Sequence, residues 1–222
     1  SWAGAMGNHQ FIPTTYRDFA YDGDGDGKRD LWNSLPDIFS SAANYLGRSG
    51  WDASRTWGRE VRLPTGIDLA LTGMDTRKSL ADWQKLGIRR MNGGDLPKVE
   101  IEASVILPAG YQGPAFLIYQ NFRTIMVWNR SIYYALAVGH LADRLVGGGP
   151  LKTKKPANDK PLSRLDVMDI QRLLGSKGFD TGGVDGRAGP MTRKAIKAFQ
   201  KSVYLPADGY PSMGLLERLR GS

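Results

Sequence analysis

Gly147-Gly148-Gly149-Pro150-Leu151-Lys152-Thr153-Lys154-Lys155-Pro156-Ala157-Asn158-Asp159-Lys160-Pro161 decides how this chain is organised. Glycines open the run, prolines interrupt it, and Leu151 is its one large apolar residue. A stretch like this neither buries a face nor propagates a helix, so residues 147–161 read as an interdomain linker with few contacts expected across it. The 222 residues then divide into a larger domain, 1–146, and a smaller one, 162–222. Each piece is long enough for a core of its own.

Upstream of the linker, residues 131–146 place Ile132, Ala135, Leu136, Leu141 and Leu145 near helical spacing, and 34–47 do the same with Leu35, Ile38, Ala42, Tyr45 and Leu46. Between them, 99–108 alternates in its first half, Val99-Glu100-Ile101-Glu102-Ala103, and predicts a strand. A second apolar run, 115–119, follows a turn at 110–114. Downstream, three short helices are expected, at 162–174, 190–200 and 212–219, the second behind Pro190 in its first turn. Asp185-Gly186 and Asp208-Gly209 each stand a few residues before one of these helices, a weak internal repeat. The fold class is mainly α (α+β): a helical domain with a small β insertion, then a three-helix module.

Composition narrows the chemistry. With no cysteine, disulfides and thiolate catalysis are excluded. No stretch approaches the ~20 consecutive apolar residues of a membrane span, and the first residues have neither the basic nor the apolar region of a secretion signal. Because the chain opens at Ser1 and not at methionine, upstream sequence is expected to have been removed. A net charge of +8 favours polyanionic partners, whether nucleic acid, anionic lipid or the carboxylate-bearing bacterial wall, or serves solubility alone.

The sharpest chemical signal is Asp22-Gly23-Asp24-Gly25-Asp26-Gly27-Lys28. Carboxylates at alternate positions, with glycines that let the backbone curl, bring hard oxygen ligands together for a cation of the Ca²⁺ type. Asp22, Asp24 and Asp26 fit the first, third and fifth positions of an EF-hand loop, and the Lys28 carbonyl fits the seventh. The twelfth is Asn33 and not glutamate, which leaves Asp37 in the following helix as the closing ligand and Asp30 as a contributor through water. The alternative is a solvated acidic turn.

The opening Ser1-Trp2-Ala3-Gly4-Ala5-Met6-Gly7-Asn8-His9-Gln10-Phe11-Ile12-Pro13-Thr14-Thr15-Tyr16 mixes small residues with amides, hydroxyls and aromatics, a composition suited to sugar. It resembles the substrate-binding motif of the membrane-bound lytic transglycosylase B family, whose domain has a lysozyme-like core. The Asp-rich loop, spanning 22–37, resembles that family's calcium-binding loop. Ala43-Asn44-Tyr45-Leu46 and Phe116-Leu117-Ile118-Tyr119-Gln120-Asn121-Phe122-Arg123-Thr124-Ile125-Met126-Val127-Trp128-Asn129-Arg130-Ser131-Ile132-Tyr133-Tyr134-Ala135-Leu136-Ala137-Val138 match two further blocks in the family's order. The resemblance implies that Ser1, Gln10, Asn129 and Tyr134 line a glycan cleft, with Tyr45 as a further wall. Trp128 stands where the family often has tyrosine, keeping an aromatic platform but losing a hydroxyl. Phe11, Ile125 and Tyr134 also read as core, and His9 as a loop residue before a base.

The smaller domain resembles the three-helix peptidoglycan-binding domain type 1, through Asp166-Val167-Met168-Asp169-Ile170-Gln171-Arg172-Leu173-Leu174, Gly183-Val184-Asp185-Gly186 and Gly189-Pro190-Met191-Thr192-Arg193-Lys194-Ala195-Ile196-Lys197-Ala198-Phe199-Gln200. Ile170 and Phe199 are expected in its core, and its exposed turns are the better ligand candidates. Together the resemblances imply a structural Ca²⁺, peptidoglycan glycan strands and no nucleic acid as partner, and a periplasmic location with an outer-membrane anchor in the removed sequence.

The family cleaves the β-1,4 link between N-acetylmuramic acid and N-acetylglucosamine with one glutamate and leaves a 1,6-anhydro product. The chain's glutamates are Glu60, Glu100, Glu102 and Glu217: the first in a turn, the next two in the expected strand, the last in the smaller domain. None lies in a helix before the Ser1 motif, where the family places its acid. No catalytic residue is therefore assigned in this chain, and the acid is expected upstream of Ser1, on a missing N-terminal segment of the same protein. The competing expectations are a non-catalytic wall-binding fragment, or a calcium-stabilised scaffold that recruits other cell-wall enzymes.

Overall fold

The structure is a computed structural model and describes residues 2–221; Ser1, assigned above to the glycan cleft, lies outside them. The chain forms two compact units. The first runs to Trp57 and takes in Gln120–Val138; the second comprises Gly58–Tyr119 and the chain from Gly139 onward. No helix among the described residues is long and apolar enough to cross a membrane.

The first unit is helical. Helix α1, Pro13–Phe19, begins on a proline whose missing N–H costs nothing in a first turn. Helix α2, Leu35–Arg48, is capped by Ser34, which accepts the Asp37 N–H. Helix α4, Gln120–Trp128, completes the unit with the first half of α5, Ile132–Leu145. Phe11, Ala20 and Leu31 form the core, with Tyr16, Phe19, Tyr45 and Trp128 packed against it. Asn121 is fully buried and satisfied: it accepts the Asp52 N–H and donates to the Asp52 and Arg55 carbonyls, fixing the loop after α2. The expected apolar stripe of α5 is present as a helix but not as a buried face. Ala135 is fully buried, whereas Leu141 and Leu145 are 60% and 80% exposed.

The second unit is built on a five-stranded antiparallel sheet in the order β2-β4-β5-β1-β3. Its strands are β1, Gly58–Arg62, β2, Lys78–Ser79, β3, Arg89–Arg90, β4, Glu102–Ile106, and β5, Ala115–Ile118. Helix α3, Leu80–Lys85, brings Trp83 into the core beside Leu80, Ile88, Val105 and Leu117, and the indole donates to the Ala103 carbonyl at 2.9 Å. The expected strand at 99–108 is thus found at 102–106. It is buried continuously from Ala103 and not alternately, because neighbours cover both of its faces.

Glu60 lies in β1, not in a turn. Its carboxylate accepts the Lys152 and Thr153 N–H groups, both at 2.7 Å, so the sheet holds the linker. The C-terminal helices are α6, Arg164–Ser176, α7, Pro190–Ser202, and α8, Met213–Arg220, around Ile170, Leu174, Ile196, Phe199, Leu216 and Leu219. Ser163 and Asp166 form a capping box at α6.

The Asp-Gly repeat has a structural basis. Gln171 of α6 accepts the N–H groups of Asp185 and Gly186 and donates to the Asp185 carboxylate; Gln200 of α7 accepts the Gly209 N–H and donates to the Asp208 carboxylate. Each buried glutamine clamps the turn that launches the next helix.

This module does not hang free of the sheet, as the linker composition led one to expect. The Lys197 ammonium donates to the Leu69, Ala70 and Thr72 carbonyls at the end of a 3₁₀ turn, Leu69–Leu71, and the Tyr111 N–H donates to Asp208 at 3.0 Å. Gly110, at φ +74°, allows this approach, since a Cβ there would lie 3.1 Å from both Asp208 and Tyr210 side-chain atoms.

Candidate active site and metal loop

The loop before α1 is stitched into place by its own backbone. Met6 and Phe11 bridge, the Asn8 N–H donates to the Leu31 carbonyl, and the Asn8 amide reaches the Leu31 and Trp32 carbonyls. This confinement leaves Gln10 in the left-handed region, at φ +53°, where a non-glycine residue is uncommon and marks a strained position. Its exposed side-chain amide donates to the Gly7 carbonyl at 3.0 Å.

Behind Gln10 stands an aromatic group. Phe11 is the hub, with ring centroids 5.7 Å from Tyr45 and 5.4 Å from Trp128, which themselves lie 4.8 Å apart. His9 packs edge-on to Trp128 at 5.4 Å, and its Nε2 lies 2.6 Å from the Ile38 carbonyl. That contact gives His9 a structural partner, as expected of a loop residue. Phe19 backs Tyr45 at 4.7 Å and is covered by the Arg48 guanidinium, 4.6 Å from its ring centre. Asn129 follows Trp128 at the end of α4 with its side chain exposed. Tyr134, 37% exposed on the first turn of α5, is not part of the aromatic group.

Of the residues assigned to the cleft, the fold thus joins Tyr45 and Trp128 directly, while Asn129 follows Trp128 in sequence and Gln10 precedes Phe11, the ring on which both pack. The contributions of His9, Phe19 and Arg48 were not visible in the sequence, because each depends on packing across 29 or more residues or on a local stack.

In the acidic loop, oxygens of Asp22, Asp24 and Asp37 all lie within 4.8 Å of one another. Asp22 is oriented by the Gly25 and Gly27 N–H groups, Asp24 by the Ser34 hydroxyl, and Asp37 by the Gly23 and Asp30 N–H groups at 2.7 Å. Asp37 is 1% exposed. The Gly23 N–H holds its carboxyl below the ordinary carboxylate range, against the opposing effect of burial, with help from Asp30, Asp24 and Ser34. A preformed set of hard oxygen donors fits a divalent cation of the Ca²⁺ type. Asp26 lies outside this cluster: its carboxylate accepts the Lys28 N–H, and the Lys28 ammonium stands 3.9 Å from it. Asp30 likewise serves the Trp32 and Asn33 N–H groups, shaping the entry to α2.

Residues 1–143 match the profile of the Transglycosylase SLT domain, nearly two thirds of the chain. The chain belongs to this family. Its residues 163–219 match a peptidoglycan binding domain. The SLT segment is 33% identical over 153 residues to membrane-bound lytic murein transglycosylase B of Escherichia coli K12, covering 64% of this chain and 38% of that protein. The structure of SltB3 from Pseudomonas aeruginosa in complex with NAG-anhNAM-pentapeptide superposes with a TM-score of 0.95 at 53% identity, covering 99% of this chain and 59% of that one. Escherichia coli lytic transglycosylase Slt35 in complex with calcium gives 0.55 at 30% identity, with 66% and 45% covered. This SLT-family chain therefore spans between about two fifths and three fifths of these relatives. The expected family, and the fold of lysozyme-like helices, small sheet and helical binding module, are both met.

Proposed function

We propose that this chain is the glycan-binding portion of a peptidoglycan lytic transglycosylase that cuts the MurNAc-GlcNAc β-1,4 bond and leaves a 1,6-anhydromuramyl end. The observation that carries this reading is the partly exposed Tyr45 and Trp128 pair within the SLT segment, backed by the buried Phe11, with the exposed Gln10 and Asn129 amides next in sequence to Phe11 and Trp128. Aromatic faces stack on sugar rings, and exposed amides bond N-acetyl groups. Tyr134 extends the cleft in this reading. SltB3 in complex with NAG-NAM-pentapeptide supports the same substrate class.

In such a reaction a carboxylic acid protonates the glycosidic oxygen as the C1–O bond breaks. The resulting carboxylate removes the proton from the muramyl 6-hydroxyl as that oxygen closes on C1, so no water is consumed. The acid must be held protonated near neutral pH by apolar surroundings. The residues of this chain bind and orient. Glu60 is committed to the linker amides, Glu100, Glu102 and Glu217 are exposed, and the most deeply buried carboxyl, Asp37, is pushed toward ionisation. The acid is accordingly assigned to a segment outside these residues. Read alone, without that segment, the chain is a wall-binding piece. Ca²⁺ on Asp22, Asp24 and Asp37, with Asp26 and the Lys28 carbonyl drawn in on binding, would hold α2 against the substrate loop. The place of action is the periplasm, with an outer-membrane anchor in sequence outside this chain.

In the full-length enzyme, Trp128→Ala and Gln10→Ala are expected to lower turnover of sacculi by roughly tenfold or more, the scale of a lost positioning contact, while melting temperature changes little for Gln10→Ala. Unchanged turnover in both variants would remove the cleft assignment.

A further inference from the structure

We propose that a cleft in the second unit, between the β4–β5 hairpin, the linker and the C-terminal module, binds the carboxylate-bearing peptide of peptidoglycan and not its glycan. The inference rests on the wall-directed reading above. The cleft has a volume of 680 Å³ and is lined by Tyr111 and Gln112 of the hairpin, Lys160 of the linker, and Leu205, Tyr210 and Arg218 of the module. That volume lies within the roughly 300–1,000 Å³ typical of small-ligand sites.

Its charges decide the ligand. Two acids face it, and both are engaged. Asp208 accepts from the Tyr111 and Tyr210 N–H groups and the Gln200 amide; Asp159 accepts from the Tyr210 hydroxyl and pairs with Lys155 at 3.1 Å. The two cations on the wall, Lys160 and Arg218, are exposed and form no ion pair among the described residues. Asp159 is balanced by its pair with Lys155 and Asp208 lies in the field of Lys197, so Lys160 and Arg218 are left as the charges an entering molecule meets, which free carboxylates satisfy and neutral sugar hydroxyls do not. Leu205, Pro206 and Met213 supply an apolar wall for aliphatic side chains.

The cleft is preformed. Its walls are held together by the Lys197 bonds to the 3₁₀ turn, the Tyr111 to Asp208 bond, the close approach at Gly110 and the Glu60 grip on the linker. Little ordering is then required of the protein on binding. The turn at 207–210, one of those the sequence singled out as exposed ligand candidates, forms one wall.

The test is amide-resolved NMR titration of the 222-residue chain with three probes: the free pentapeptide, the same peptide with its carboxylates amidated, and NAG-NAM without peptide. The pentapeptide is expected to shift the Tyr111, Lys160 and Arg218 amides, the amidated peptide to bind far more weakly, and NAG-NAM to shift Gln10 and Asn129 instead. Joint Lys160→Gln and Arg218→Gln should weaken pentapeptide binding about tenfold, the joint scale of two exposed charge contacts, with melting temperature and NAG-NAM affinity unchanged. Equal affinity in the double variant, equal binding of the amidated peptide, or shifts confined to other residues would overturn the proposal. Pentapeptide binding without any NAG-NAM binding would leave the cleft standing and count against the glycan reading; NAG-NAM binding alone would do the reverse, and no binding by any probe would count against both.

Discussion

Gln171 shows how much one buried side chain can organise. Its amide oxygen takes the Asp185 and Gly186 N–H groups at 3.1 and 2.9 Å, and its nitrogen reaches the Asp185 carboxylate, the Arg187 carbonyl and the Thr192 hydroxyl. Gln171→Leu keeps the volume but strands these partners, and a buried polar group without a partner costs about 1–3 kcal/mol. The variant is expected to lose about 2–4 kcal/mol in urea unfolding, compared with under about 1 kcal/mol for an exposed change such as Lys194→Ala. Asp185 adds a pH dependence. The Gln171 amide, then the Arg187 N–H, hold its carboxyl below the ordinary range. A lowered folded-state value stabilises fully above the unfolded carboxylate value, near 3.9, and the contribution disappears as pH falls through the folded value. Unfolding free energy should therefore decline more steeply below pH ~4 in the parent chain than in Asp185→Asn, as followed by circular dichroism. Parallel slopes would show that the contact does not favour the charged form. In the sequence both Asp-Gly turns could be read, but their glutamines could not. The Gln171 clamp closes over 14 residues, and nothing local distinguishes a buried amide from a surface one.

At the scale of elements, legibility followed length and capping. Helices α2, α6, α7 and α8 carry sustained apolar spacing with serine or proline at their starts, and sequence and structure agree to within a few residues. α1 has no fully buried residue and therefore no stripe to detect. β2 and β3 have two residues each, too short to show any period, and exist only because β4 and β1 offer partners. The acidic loop was legible as a composition but not in its final geometry. The sequence points to Asp22, Asp24 and Asp26 with Asp37 as the closing ligand; the fold gathers Asp22, Asp24 and Asp37 but turns Asp26 aside. Gly23 makes that gathering possible, since a Cβ there would fall 2.4 Å from the Pro36 carbonyl oxygen. Gly23→Ala should then displace the loop from α2 and weaken calcium binding. In the parent, calcium at a hundredfold excess over Kd should raise stability by about 2.7 kcal/mol. Equal melting temperatures in calcium and in chelator would reduce the loop to a turn.

The molecule as a whole departs from its sequence most clearly at the linker. Glycine and proline content predicts a linker with few contacts across it, but composition cannot register that Glu60 takes two of its N–H groups or that Lys197 caps a 3₁₀ turn more than a hundred residues away. Burial pushes the Lys197 ammonium below its usual range, an effect partly offset by Asp208, Asp68 and Asp75. Lys197→Met is expected to speed hydrogen exchange at the Tyr111 and Gly73 amides while leaving Ile196 and Phe199 protected. Uniformly faster exchange would mean that Lys197 supports the module's own fold and not its docking. The residues that the resemblance assigns to a glycan cleft could be named because they fall in ordered blocks, whereas a cleft built from three separate segments leaves no such local mark.

The most direct test of the central claim is mass spectrometry of purified sacculi incubated with the 222 residues alone and with the full-length protein. Both are expected to bind the wall, with anhydro-muropeptides appearing only with the full-length protein. Anhydro products released by the 222 residues alone would contradict that claim, and would place the acid among residues to which this structure gives other work.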